Sequence, residues 1–291
     1  MSASKLDGKA TAAEIRAEVA VAAARLPRPP GLGTILVGDD PGSAVYVRNK
    51  HRACEAAGFN SVDRRLPDGT SQVELLEVIA ALNADPGVDA FLVQLPLPGH
   101  LDERAALEAV APAKDGDGLH PVNLGRLVLG EPSVEPCTPK AIVTLGRRYG
   151  IEWAGARVCV VGRGTTVGRP LGLLLTLKGV DATVTMCHSR TPDLAAECRR
   201  ADVVVAATGR AGLLTADMVR PGAAVFDVGI SRTETGIAGD VAPEVVDVAG
   251  WIAPVPGGVG PMTIAMLLQN TLELSQRNQA ESGPAGTDRS D

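Results

Sequence analysis

The sequence predicts a two-lobed α/β protein built on parallel sheets. Three observations carry that expectation. Short β-rich runs alternate with helical patterns along most of the chain, the signature of strand–helix–strand units. The 291 residues suffice for two domains of ordinary size. The alternation breaks at "GEPSVEPCTPKAIVTLGRRYG" (130–150), which separates two such runs.

In chain order, "MSASKLDGKATAAEIRAEVAVAAARLP" is amphipathic and carries Asp and Glu, without the apolar run of a signal peptide. "GTILVGDD" (33–40) reads as a buried strand and turn. "PGSAVYVRNKHRACEAAG" (41–58) reads as a helix capped by Asp40, opened by Pro41 and ended by Gly58. "NSVDRRLP" is a weak strand, "SQVELLEVIAALNAD" (71–85) an amphipathic helix, and "VDAFLVQLPLP" (88–98) a strand ended by prolines. Thr138 is the expected cap, and Pro139 the first residue, of a helix closed by Gly150 that links the lobes. "ARVCVVGRGTTVGRPLGLLLTLKG" then reads as strand, glycine turn and helix. "DATVTMCHS", "ADVVVAATG", "GAAVFDVG" and "GWIAPVP" follow as strands, and a last helix starts near Pro261.

Composition excludes several classes. Apolar residues make up 45% and aromatics only 2%, so the core must rest on Ala, Val and Leu. A net charge of −6 argues against a nucleic-acid or anionic-membrane partner. No stretch approaches the roughly 18 apolar residues of a membrane span. Cys54, Cys137, Cys159, Cys187 and Cys198 form no C-x-x-C, and the four histidines form no H-x-x-x-H. Neither a disulfide framework nor a metal site is expected, and the expected home is the reducing cytoplasm.

The glycine turn is the first chemical signal. Residues 162–168 read "GRGTTVG" directly after the apolar strand "VCVV". Gly162 makes the tight turn, Gly164 lets backbone N–H groups approach phosphate, and the next helix adds its positive end. A Rossmann-type nucleotide unit follows from that context. An NAD site carries an acid at the end of the next strand, roughly 20 residues on. Here that strand ends "MCHSRT", with Ser189 and Arg190 and no carboxylate, while Arg163 sits inside the turn. A 2′-phosphate needs donors and positive charge, so NADP is favoured over NAD. Arg190 reads equally as a solvated loop arginine.

Ligands of open α/β sheets bind beyond the carboxyl ends of the strands. Tyr46 and Lys50 stand one helical turn apart after the first strand, and Gln94 ends the "FLV" strand. "KDGDGLH" (114–120) carries Asp115 and Asp117, and "PVPGGVGPMT" (254–263) opens the last helix. Each has a plainer reading: a snorkelling lysine on a helix edge, a strand-end amide, Asx-turns, a stiff connection.

Together, "YVRNK", "VQLPLP", "KDGDGLHPVNLGRL", "PCTPKAI", "VVGRGTTVGRP", "HSRT" and "PVPGGVGPMT" resemble the bifunctional methylenetetrahydrofolate dehydrogenase/methenyltetrahydrofolate cyclohydrolase (FolD) family. The resemblance runs from "LDGK" at 6–9 to the last helix. It implies an N-terminal α/β substrate domain and a Rossmann-type NADP-binding domain around a cleft, in a homodimer. The domains so read are 1–138 with helix 261–276, and 139–260, followed by a disordered tail 277–291. The implied activity is NADP-dependent oxidation of 5,10-methylenetetrahydrofolate, then hydrolysis of the methenyl product to 10-formyltetrahydrofolate. The resemblance assigns catalysis to Lys50, stacking to Tyr46, the lysine's partner to Gln94 and the pterin acid to Asp117, beside Gly118. It places Pro256, Gly257, Gly258 and Pro261 at the substrate. It places Gly162, Arg163, Gly164, Val167, Ser189, Arg190 and Ile230 at the cofactor. Gly164 stands where serine is common, Gly116 where Val or Ala is typical, and Ala253 where Thr is usual. The alternatives are a shikimate-dehydrogenase-like NADP oxidoreductase and a non-catalytic NADP-binding sensor. The first leaves "VQLPLP" and "PVPGGVGPMT" without a purpose, and the second is disfavoured by the presence of Lys50 and Asp117.

Overall fold

The computed structural model describes residues 2–131, 133–233 and 236–281. Strand β1 (Ser4–Lys5) and helix α1 (Gly8–Ala23) precede strand β2 (Gly31–Val37), buried along its whole length. Helix α2 (Pro41–Ala56) starts as its sequence dictates: the Asp40 carboxylate accepts from the Ser43 N–H at 2.7 Å, and Pro41 occupies the first turn. Next come β3 (Asn60–Leu66), α3 (Gln72–Ala84), β4 (Ala90–Val93), α4 (Glu103–Ala109) and α5 (Pro121–Val128). Ser71 and Glu74 form a reciprocal capping box at the start of α3. Then follow α6 (Cys137–Arg148), β5 (Arg157–Val161), α7 (Gly168–Leu175), β6 (Thr183–Cys187), α8 (Leu194–Arg199), β7 (Val203–Ala206) and β8 (Ala224–Asp227). Short strands β9 (Ser231–Thr233) and β10 (Gly236–Ala238), then β11 (Trp251–Ala253) and α9 (Val259–Glu281), complete the chain.

The backbone packs into two compact units. The smaller comprises Ile15–Pro121 and the residues from Leu267 on. Its sheet has the order β3-β2-β4, with both pairings parallel. Its core joins Ile35, Val37 and Phe91 of the sheet to Leu75, Ile79 and Leu82 of α3. The larger unit comprises the residues up to Glu14 and Val122–Met266. Its sheet has the order β1-β11-β8-β7-β5-β6, again all parallel. Strands β9 and β10 pair antiparallel beside it. Its core is small-residue rich, with Val161, Val204, Ala206, Val225, Cys159, Cys187 and Cys198. Ala, Val, Ile and Leu thus make up most of both cores, and Phe91 and Phe226 are fully buried.

Both sheets reverse direction once at a comparable place. In the smaller unit the chain moves from β2 out to β3, then back across to β4. In the larger it moves from β5 out to β6, then back to β7. Such reversals leave a crevice at the carboxyl ends of the strands.

Several elements depart from the sequence expectation for identifiable reasons. Helix α6 begins at Cys137 after Pro136, and no side chain caps it. The expected cap, Thr138, instead places its hydroxyl 3.3 Å from that of Thr263. This helix lies inside the larger unit rather than linking the two. Helix α9 starts at Val259, ahead of Pro261, and runs to Glu281, beyond the expected end at 276. Its polar end is held by tertiary bonds: Asn278 donates to Asp89 at 3.2 Å and Gln279 to the Arg28 carbonyl at 3.1 Å. Residues 282–291 of the expected tail lie outside the described residues. The compact units divide at 121/122 and 266/267, where the sequence reading divides at 138/139 and 260/261. The N-terminal residues join the larger unit because β1 adds a parallel edge strand through Ser4 opposite Trp251.

Candidate active site

The smaller unit assembles side chains at its sheet reversal. Helix α2 leaves the end of β2 and presents Tyr46 and Lys50 one turn apart. Tyr46 is 44% exposed, whereas Lys50 is 9% exposed. The Lys50 ammonium nitrogen Nζ donates to Gln94 Oε1 at 3.1 Å. Gln94 follows β4, and its backbone N–H continues the ladder to the Ile35 carbonyl at 2.8 Å. Its side-chain amide donates to the Leu95 carbonyl at 2.7 Å, which leaves Oε1 facing Lys50. The two residues on either side of the reversal therefore meet, as neither could by sequence distance alone.

His51, next to Lys50, fastens the helix. Its Nε2 lies 2.8 Å from the Thr34 hydroxyl on β2, and its Nδ1 contacts the Ser61 hydroxyl on β3. Nε2 also approaches the Asp63 carboxylate at 3.4 Å. Sequence reasoning passed over this residue; a polar side chain on the turn of α2 that faces the sheet was its only signal.

The acidic turn separates its two aspartates by role. Asp115 is buried and accepts from the backbone N–H groups of Gly118 at 3.0 Å and His120 at 2.8 Å. It builds the turn. Asp117 is half-buried in the same turn. Gly116 is tied into this segment through its backbone. Its N–H donates to the Phe91 carbonyl at 3.3 Å, and its carbonyl accepts from buried Asn270 at 3.0 Å. A Cβ there would lie 3.1 Å from Leu267 Cδ1 and 3.3 Å from the Ala90 Cβ, so glycine makes room for the last helix.

The larger unit offers backbone rather than side chains at its reversal. Gly162 follows β5 with φ 122°, a conformation that excludes a side chain. A Cβ there would sit 2.2 Å from the Ala207 carbonyl oxygen at the end of β7. A Cβ at Gly168 would sit 2.1 Å from the Gly162 carbonyl oxygen. The loop is thus closed on itself and against β7. Arg163 and Gly164 are exposed, and a side chain at 164 would meet open space, so a serine there would fit without disturbance. Helix α7 begins after Val167 with no side-chain cap, and the glycine loop folds back onto its first turn, where the Arg169 N–H donates to the Gly164 carbonyl at 3.0 Å.

Ser189 and Arg190 are exposed after β6, with no carboxylate at that strand end. The turn is stabilised locally, since the His188 N–H donates to the Thr191 hydroxyl at 2.9 Å and the Arg190 N–H to His188 Nδ1 at 3.1 Å. Ile230, after β8, is 44% exposed. In the 254–261 loop Gly257 has φ 99°, and the Gly258 N–H donates to the Pro254 carbonyl at 2.8 Å. Gly258 also packs against Gly8, where a Cβ would lie 1.8 Å from its carbonyl oxygen. Pro256, Gly257, Gly258 and Pro261 belong to the larger unit, and Tyr46, Lys50, Gln94, Asp117 and Gly118 to the smaller. An uncapped helix, side-chain-free turns and an arginine in place of an acid fit a dinucleotide carrying a 2′-phosphate.

Comparison with known proteins agrees with this chemistry. Residues 6–117 match the family model described as tetrahydrofolate dehydrogenase/cyclohydrolase, catalytic domain. Residues 136–279 match that described as tetrahydrofolate dehydrogenase/cyclohydrolase, NAD(P)-binding domain. The bifunctional FolD methylenetetrahydrofolate dehydrogenase/cyclohydrolase of Campylobacter jejuni is 44% identical, with 94% of this chain and 99% of that one covered and a TM-score of 0.91. The Trypanosoma brucei enzyme, solved with NADP cofactor and an inhibitor, is 40% identical over 98% of this chain and 100% of its own, with a TM-score of 0.90. Shikimate 5-dehydrogenase from Thermus thermophilus, at 18% identity and a TM-score of 0.50 over 85% of this chain and 99% of its own, shares the fold alone. This chain belongs to the tetrahydrofolate dehydrogenase/cyclohydrolase family.

Proposed function

We propose that this chain carries out both reactions of its family through the residues described above. The chain is an NADP-dependent 5,10-methylenetetrahydrofolate dehydrogenase and 5,10-methenyltetrahydrofolate cyclohydrolase. The observation that carries the residue assignment is the bond from Lys50 Nζ to Gln94 Oε1 at 3.1 Å, on a lysine almost wholly withdrawn from solvent.

When bound, NADP⁺ supplies the hydride acceptor. Its phosphates are received by the uncapped start of α7 and the Gly162–Gly164 backbone, with Arg163, Ser189 and Arg190 at the 2′-phosphate. The folate's own nitrogen lone pair stabilises the cation left by hydride loss, so the protein's task in that step is placement. Tyr46 offers its exposed ring as a stacking face, and Asp117 accepts hydrogen bonds from pterin N–H groups. Hydrolysis asks more of the side chains. Water adds to the methenyl carbon, one C–N bond opens as that carbon becomes a formyl carbonyl, and the water gives up both its protons, one to solvent and one to the freed nitrogen. Lys50 is the group that moves this proton, and Gln94 aims it without adding charge. Only the neutral amine can take a proton from water, so proton exchange at Nζ is part of the cycle.

We further propose a homodimer and a cytoplasmic location. The dimer rests on the resemblance, and sedimentation of the full chain tests it. The location is supported by five free, buried cysteines. Among the described residues no helix is long and apolar enough to cross a membrane.

The deciding assay follows absorbance of reduced nicotinamide when 5,10-methylenetetrahydrofolate and NADP⁺ are added, with 10-formyl product measured separately. Both signals are expected. Nicotinamide reduction without 10-formyl product would remove the hydrolytic role given to Lys50.

A further inference from the structure

We propose that Asp240 is a positioning residue for the cofactor: with Asp227 it clamps the turns that follow β7 and β8 and so sets the seat of the phosphate loop.

Asp240 is wholly buried, and Asp227 is 4% exposed at the end of β8. One oxygen of Asp240, Oδ2, accepts three bonds from the turn after β7. The donors are the Thr208 N–H at 2.5 Å, the Thr208 hydroxyl at 2.9 Å and the Gly209 N–H at 3.1 Å. Asp227 in turn holds Asp240 in place, accepting from the Asp240 N–H at 2.7 Å and the Val241 N–H at 3.3 Å. The Ser231 hydroxyl closes the circuit by donating to the Gly209 carbonyl at 2.9 Å.

The packing is as specific as the bonds. A Cβ at Gly229 would lie 2.0 Å from Asp240 Oδ1, and a Cβ at Gly239 would lie 1.7 Å from Asp227 Oδ2. The backbone of the turn after β8, which carries Ile230, therefore rests directly on the Asp240 carboxylate. Ala207, immediately before Thr208, is the residue whose carbonyl oxygen fills the space beside Gly162. Force on Asp240 is thus passed through Thr208 and Ala207 to the first glycine of the phosphate loop.

This is a poor device for stability alone. The other oxygen of Asp240, Oδ1, is buried without a hydrogen-bond partner among the described residues, and a second buried carboxyl group, that of Asp227, binds the Asp240 backbone N–H. Burying two acids with one oxygen unsatisfied costs free energy that an apolar pair would not. What the acids provide, and apolar side chains cannot, is three directed bonds to one turn.

The test separates positioning from general support because the two activities differ in their need for nicotinamide. In Asp240→Ala the KM for NADP⁺ in the dehydrogenase reaction is expected to rise about tenfold or more, as befits lost charge-assisted bonds. Hydrolysis of 5,10-methenyltetrahydrofolate, which uses no nicotinamide, is expected to stay within about threefold. Asp240→Asn keeps an acceptor and should recover part of the NADP⁺ affinity. If Asp240→Ala does not fold, Gly229→Ala carries the same test by pushing a methyl group onto the intact carboxylate. An unchanged KM for NADP⁺ in the folded variants, or parallel loss of both activities, would overturn the proposal.

Discussion

The two sheet reversals are wound alike and furnished differently. In each, a central strand leads through a helix to one neighbour, and the chain then returns to the other side. At the reversal beside β2, Asp40 caps helix α2 and consumes the N–H that an anion would otherwise bind. The proposed chemistry there belongs to side chains farther along the helix, Tyr46 and Lys50. At the reversal beside β5, helix α7 has no side-chain cap, and glycines strip Cβ atoms from the approach. Here the proposed ligand for phosphate is the backbone itself. In the function proposed above, one topology thus serves a folate at one reversal and a dinucleotide at the other, and the two differ in whether a carboxylate of the protein caps the helix start.

Four experiments break or sharpen this contrast, and the first has the largest expected effect. Lys50→Met removes the side-chain chemistry from the smaller unit. Cyclohydrolase kcat should fall about 10²–10⁴-fold, the usual range for a lost acid–base group. Dehydrogenase kcat should fall far less, because hydride transfer needs placement more than proton movement. Equal loss of both, with folate binding retained, would end the division of labour.

Val167→Asp would give α7 the kind of acid that caps α2. The added carboxylate would compete with phosphate for the helix start. The KM for NADP⁺ should rise about 100-fold, with hydrolysis of the methenyl substrate nearly unchanged. If NADP⁺ affinity survives, the uncapped helix is not what binds it.

Arg190→Ala addresses the far end of the same site. The ratio of kcat/KM for NADP⁺ to that for NAD⁺ should fall about tenfold, since the 2′-phosphate would lose a charged partner. A ratio that does not move would make Arg190 a solvated loop residue.

Asp227→Asn tests the carboxyl pair by stability rather than rate. Burial pushes the Asp227 carboxyl up to about 7; the Asp240 and Val241 N–H groups oppose that rise, and the Asp240 charge adds to it. Because folding raises this pKa above the unfolded value near 3.8, the protonated group's contribution is fully present below about pH 4 and is lost as pH rises through about 7. The Tm of the native protein should therefore decline from pH 5 to pH 8 relative to that of Asp227→Asn. Matching profiles would show that Asp227 does not titrate in this window.

Local signals made much of the site legible. The capped helix carrying Tyr46 and Lys50, the glycine turn after β5 and the missing acid after β6 depend on short spacings and backbone chemistry, which a linear sequence records. Asp115 and Asp117 illustrate the limit. They are two residues apart and alike in type, yet one ties down its turn while the other stays half-buried. Helix ends failed where a tertiary partner intervened, as when Thr263 engaged Thr138 and when Asp89 and Arg28 held Asn278 and Gln279 in the helix.

By itself the sequence determined the strand–helix alternation, the glycines that only a close backbone approach requires, and the family with its chemistry. Those follow from local sterics, hydrophobic period and residue type. Only the tertiary structure decided which polar residues face one another. Lys50 meets Gln94 across 44 positions of chain, and Asp240 meets Thr208 across 32. Such pairings depend on the order in which strands lie in the sheet, a property of the packed chain that no local pattern encodes.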